Sequence, residues 1–111
     1  MATRREIRIA LEQTLTSPFG RHACLCHGDL GNLDILLYAS EQLHDPSWAH
    51  AGTRLAKEAV NAIAEREGLH AEPKQLPNPG LMVGLAGMGY GLLRLADPTR
   101  VPSVLVLAPP R

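Results

Sequence analysis

A chain of 111 residues with 11 Lys plus Arg against 11 Asp plus Glu carries no net charge, so nothing global draws it to nucleic acid or to an anionic membrane. One Phe, one Trp and two Tyr are too few for a base-stacking surface, and nucleic acid is not an expected partner. The length suits one domain, or part of a larger one, whose core removes roughly 65% of the unfolded surface from water.

In chain order, "MATRREIRIALEQTL" mixes charge with apolar residues and has no continuous apolar stretch or small-residue cleavage site, so it does not read as a secretory signal. Glu6 and Glu12 argue against a transit peptide. A first helix is predicted from about Thr3 to Ser17, with Ile7, Leu11 and Leu15 on one face, and "SPFG" breaks it. The second helix begins near Gly28 and buries Leu33, Leu36, Leu37 and Ser40. Asp45 and Pro46 then supply an N-cap and a first-position proline for a long third helix reaching about Arg66. Its inner stripe is Trp48, Gly52, Leu55, Ala59 and Ile63, with Arg54, Lys57, Glu58 and Glu65 outside and Gly68 as the stop. "EPKQLPNPG" reads as a loop, followed by a fourth helix from about Leu81 to Leu95. The tail "VPSVLVLAPPR" reads as an extended surface strap. The apolar run "GLMVGLAGMGYGLL" is about 14 residues against the ~20 that a span requires, and Arg94 ends it, so no membrane span is expected. The fold class is all-α.

The two glycine-opened helices repeat each other. Aligning "HGDLGNLDILLYAS" (His27 to Ser40) with "VGLAGMGYGLLRLA" (Val83 to Ala96) sets Gly28 on Gly84, Gly31 on Gly87, Leu36 on Leu92 and Leu37 on Leu93, at a single offset of 56 residues. A recurring helical unit of this size points to helical-hairpin repeats, either solenoid or closed toroid, which usually need about three copies or more.

The only two cysteines fall in "RHACLCHGDLGN", close to His22 and His27. Where the first repeat has Cys26 and His27, the second has Met82 and Val83, so packing does not demand Cys-His there. A thiolate beside a neutral imidazole is a donor pair suited to zinc, against the alternative that a buried cysteine is core filler. A redox role for Cys24 with Cys26 lacks the C-x-x-C spacing. The pair is too close in sequence for an unstrained disulfide, which suits a reduced, cytoplasmic protein. The glycines of "GLAGMGYG" follow no strand and precede no G-K-[ST], so close helix packing is expected of them rather than phosphate binding. His44, His50 and His70 are expected to be solvated.

With these motifs in place, "SPFGRHACLCHGDLGNLDILL" resembles the zinc-binding Cys-His-Gly segment of the lanthionine cyclase (LanC-like) family. "PGLMVGLAGMGYGLLRLADPTRVPSVLVLAPP" is similar to the extreme C-terminus of class II lanthipeptide synthetases, the LanM enzymes. The resemblance covers about residues 5 to 110. It implies that residues 1–111 are the C-terminal segment of a LanC-like domain, a fragment of an α/α toroid. It further implies a zinc cofactor (Zn2+) held by Cys26 and His27, with a third ligand from an upstream Trp-Cys segment and the fourth position open to a substrate thiol. That thiol would add to dehydroalanine or dehydrobutyrine in a precursor peptide, giving a thioether ring. The family pattern is incomplete here: Trp48 is followed by Ala49 rather than Cys, and the acid/base His and Asp and the ATP-dependent dehydratase region have no counterpart. No catalytic residue is therefore assigned. Cys24 stands where the family often carries a small polar residue and is a candidate additional ligand. The expected partners are the precursor peptide and the upstream portion of the synthetase. The competing expectation is a non-catalytic helical repeat module that binds a peptide or a partner subunit.

Overall fold

A computed structural model describes residues 3–16, 22–65 and 79–110. Four helices follow one another: α1 (Arg4–Thr16), α2 (Asp29–Leu43), α3 (Pro46–Glu65) and α4 (Leu85–Ala96). No strand occurs among the described residues, in agreement with the all-α expectation. The expected break at Ser17–Gly20, the helix stop at Gly68 and residues 72–78 of the proline loop lie outside the described residues.

Local chemistry sets the helix ends. Thr3 and Glu6 form a reciprocal capping box: the Thr3 N–H donates to Glu6 Oε2 at 2.6 Å and the Glu6 N–H to Thr3 Oγ1 at 3.2 Å. Further along α1, Arg8 donates to Glu12 at 2.8 Å on the exposed face, and this hydrogen bond raises the Arg8 pKa. Of the helix's side chains only Leu11 is fully buried. His44 ends α2 in the left-handed region at φ 52°, and its N–H reaches back to the carbonyls of Glu41 and Ser40. Asp45 then caps α3 as expected, accepting from the Ser47 hydroxyl at 2.6 Å and from the Ser47 N–H at 3.0 Å. Those two bonds, the hydroxyl's first, lower the Asp45 pKa.

The short connection folds α2 and α3 into a hairpin, the most extensive helix pairing in the fold, with α4 also packed on α2. Leu30, Leu33 and Leu36 of α2 are at most 1% exposed, each worth roughly 1.5–3 kcal/mol of apolar burial. Leu30 and Leu33 form one core cluster with Ala59 of α3, Met88 of α4, and Ala23 and Leu25 of the loop before α2. Gly52 of α3 faces Leu36 and Leu33, where a β-carbon would make ordinary van der Waals contact at 3.7 Å and 4.0 Å. Arg54, Lys57, Glu58 and Glu65 face outward as the periodicity predicts.

The sequence repeat is a structural repeat. Gly28 and Gly84 both precede their helices in extended conformation (φ −117° and −130°) without a side-chain cap. The first helical bonds also correspond, Asn32 N–H to Gly28 O at 3.2 Å and Met88 N–H to Gly84 O at 3.1 Å. A β-carbon on Gly31 would overlap the Leu25 carbonyl, and one on Gly87 the Leu81 carbonyl. This close approach corrects the predicted start of α4. Leu81 to Gly84 form a turn, as Leu25 to Gly28 do, because the chain must fold back to lay its carbonyl on the third residue of the helix.

The tail also departs from expectation. Val104 to Leu107 form a turn closed by a 3.3 Å bond from the Leu107 N–H to the Val104 carbonyl, with Leu107 at φ 52°. Just before that turn the chain is held by a buried polar centre. Arg94, 2% exposed, pairs through Nε with Asp34 of α2 and donates from Nη1 to the carbonyls of Pro98 (3.1 Å) and Val101 (2.8 Å). Ser103 Oγ donates to the other Asp34 oxygen at 2.5 Å, and the Tyr90 hydroxyl to the Pro102 carbonyl at 2.5 Å. These bonds anchor residues 98–103 against α2 and α4, ahead of the 104–107 turn.

Three stability measurements check these assignments. In urea denaturation, Arg94→Met leaves the Asp34 carboxylate buried without its cation and is expected to cost about 3–5 kcal/mol. Gly31→Ala, whose methyl meets backbone that cannot rotate away, is expected to cost about 1–3 kcal/mol. Gly89→Ala meets nothing within 4 Å and should instead stabilise α4 by about 0.4–1 kcal/mol.

Candidate metal centre

The loop from His22 to Gly28 is wound tightly onto the start of α2. The Asp29 N–H donates to the His22 carbonyl at 2.7 Å. A β-carbon on Gly28 would fall 2.5 Å from the Cys24 nitrogen and 2.6 Å from the His22 carbonyl oxygen, so only glycine closes this turn. The Cys26 N–H donates to the Met82 carbonyl at 2.9 Å, which joins the two repeat turns at corresponding positions.

This backbone divides the four potential donors. Cys24 is fully buried, whereas Cys26 and His27 are exposed on the outside of the turn. Cys24 Sγ lies 3.6 Å from His27 Nδ1. The rings of His22 and His27 meet edge to face, with centroids 5.3 Å apart and planes at 66°. Cys24 and Cys26 are both free, one turned into the core and the other away from it, which gives no support to a redox pair. Among the described residues no group of three or more His, Cys, Asp or Glu side chains is arranged to hold a metal. Cys26 and His27 suit zinc in their chemistry, as an accessible thiol and imidazole on adjacent residues of a fixed turn, and amount to half of a tetrahedral shell.

The other sequence candidates separate cleanly. His44 serves the end of α2, His44 and His50 are exposed, and His70 lies outside the described residues. Two of the three α4 glycines pack as expected: beyond the contact of Gly87 with Leu81, a β-carbon on Gly91 would lie 3.0 Å from Leu30 Cβ, whereas Gly89 faces open space. Sequence reasoning missed the contact of Cys24 with His27. Its one available signal was the spacing of three residues across a turn that ends in glycine.

The family model for lanthionine synthetase C-like proteins matches residues 2–106. The chain belongs to this family. It has no significant match among curated proteins or among solved structures. Members of the lanthionine synthetase C-like family are helical toroids that generally bind zinc and act on precursor peptides, and the four-helix, two-turn unit fits a fragment of such a toroid. No helix among the described residues is long and apolar enough to cross a membrane.

The division of the cysteines is open to a direct check. Iodoacetamide should modify one cysteine per folded chain and two in denaturant, as read by intact mass. Cys26→Ser should abolish the native reaction and Cys24→Ser should leave it unchanged.

Proposed function

We propose that this chain is the C-terminal segment of the cyclase domain of a class II, LanM-type lanthipeptide synthetase, acting in the cytoplasm on a precursor peptide. The observation that carries this reading is the glycine-locked turn that leaves Cys26 and His27 exposed side by side, within a chain of the lanthionine synthetase C-like family. In this reading Cys26 and His27 hold zinc, and the upstream portion of the synthetase contributes the remaining ligand and the acid/base groups. Bound zinc lowers the pKa of a substrate cysteine from about 8.5, so that its thiolate is available at neutral pH to add to dehydroalanine or dehydrobutyrine. The chain's own part is positional. Gly28 and the bond from Cys26 to Met82 fix the backbone that presents both donors, so little conformational freedom is lost when they take a ligand. Protonation of the enolate that follows thiolate addition falls to a group outside this chain.

One observation favours a second reading, a non-catalytic peptide-binding module. An open groove of about 520 Å³ runs between α3 and α4, lined by Ala56, Val60, Leu92 and Leu95 with Thr53, Lys57 and Asn61. The discriminating experiment incubates the chain, zinc and a dehydrated precursor peptide with and without the upstream portion of a synthetase. Ring formation is followed by mass spectrometry of the thiol-alkylated peptide. Alone, the chain should give no cyclisation above the spontaneous rate. Together, the two parts should cyclise, and Cys26→Ala or His27→Ala should abolish the gain. Peptide binding that is indifferent to both substitutions, with no cyclisation in any mixture, would favour the module.

A further inference from the structure

We propose that Cys24 is a positioning residue for His27: its buried sulfur accepts a hydrogen bond from Nδ1–H and so makes Nε2 the nitrogen that faces the metal. This rests on the zinc reading above and goes beyond it, because it assigns the ligating atom and gives the second cysteine a role of its own.

The argument starts from burial. Cys24 is 0% exposed and is enclosed by the same loop that Gly28 closes. To ligate a metal together with the exposed Cys26, its side chain would have to leave the core, and the loop backbone would have to open. Its Sγ nevertheless lies 3.6 Å from His27 Nδ1, within the range of a hydrogen bond to sulfur. An imidazole that ligates a metal through one nitrogen directs the N–H of the other at a fixed acceptor, which sets both tautomer and ring orientation. A thiol sulfur is a weak acceptor, and burial shelters it from competition by water. The His22 ring against the His27 ring, at 66° between planes, restrains the same imidazole from a second side. With Nδ1 engaged inward, Nε2 is left on the exposed side of the turn, where Cys26 is also exposed.

The test uses the chain itself, with Zn2+ or Co2+ alone as probe. In long-range 15N–1H NMR of the metal-free chain, neutral His27 should carry its proton on Nδ1. A proton on Nε2 would overturn the proposal whatever the metal does. In competition with a chromophoric chelator, Cys24→Ala should weaken zinc binding by about 10–100-fold. Cys24→Ser keeps an acceptor of similar size and should stay close to wild type, with far-UV circular dichroism confirming that its helices persist. The thiolate-to-Co2+ charge-transfer band should keep its intensity in Cys24→Ser and vanish in Cys26→Ala. A band roughly halved by Cys24→Ser would make Cys24 a ligand and overturn the positioning role. If Cys26→Ala and His27→Ala bind zinc as wild type does, the zinc reading fails, while the NMR result still decides whether Cys24 orients His27.

Discussion

The carbonyls of Leu25 and Leu81 lie so close to Gly31 and Gly87 that a β-carbon at either glycine would overlap them. This contact, made twice at corresponding places, fixes how each turn enters its helix. In each copy Gly28 or Gly84 adopts the extended conformation just before the helix, and the turn then lays its carbonyl across the third helical residue. The two copies meet through the bond from the Cys26 N–H to the Met82 carbonyl, so the helix starts of the two repeats are registered against each other by backbone alone. Packing follows from that registration. Leu25 of the first turn reaches Gly87, 3.1 Å from where its β-carbon would be, and Leu30 of α2 reaches Gly91 of α4.

At the other end of the repeat pair the constraint is electrostatic. Asp34 and Arg94 are charged residues on the buried faces of α2 and α4, and removing both from water costs several kcal/mol per ion before any attraction is counted. The surrounding hydrogen bonds offset part of that cost: Asp34 accepts from Arg94 and Ser103, and Arg94 also donates to two tail carbonyls, while its buried Nη2 has no hydrogen-bond partner among the described residues and only a Glu41 carboxylate oxygen at 3.9 Å. A hydrophobic pair of the same volume could match the stability. What the ionic pair adds is direction, since only a guanidinium can hold α2 and the Pro98–Val101 backbone together through one side chain. The chain after α4 is thereby anchored from Pro98 to Ser103 against α2 and α4.

The parts of this architecture that were legible in the sequence are those set by local rules. Helix faces followed from apolar spacing, the α2–α3 junction from Asp45 and Pro46, and the repeat from its glycines. The start of α4 was masked in the periodicity because Leu81, Met82 and Val83 are apolar and continue the helical pattern without a break, although the match of Gly84 with Gly28 carried the signal for a start at Gly84. The Arg94 centre was hidden for a different reason: its partners, Asp34 and Ser103, lie on separate elements, and each reads singly as a solvated polar residue. Of the candidate site, Cys26 and His27 were singled out by their contrast with Met82 and Val83, and Gly28 by its match with Gly84. Opposite burial of the two cysteines was not, since residue identities two apart in a loop do not state which one faces the core.

That contrast acquires a sharper meaning once burial is known. An apolar pair at the corresponding positions of the second repeat suggests that the slot has no packing need for cysteine, but it leaves open whether the slot is core. It is not core: Cys26 and His27 are exposed, and Met82 is 43% exposed in its own turn. The reading of cysteine as core filler therefore applies to Cys24, which is fully enclosed, and not to Cys26. Because glycines and backbone hydrogen bonds hold both turns, the backbone of each turn does not depend on which side chains stand at these positions, and one turn can carry donor chemistry while its twin carries none. The fold supplies two equivalent platforms at one seam, and only the first is furnished with a thiol and an imidazole.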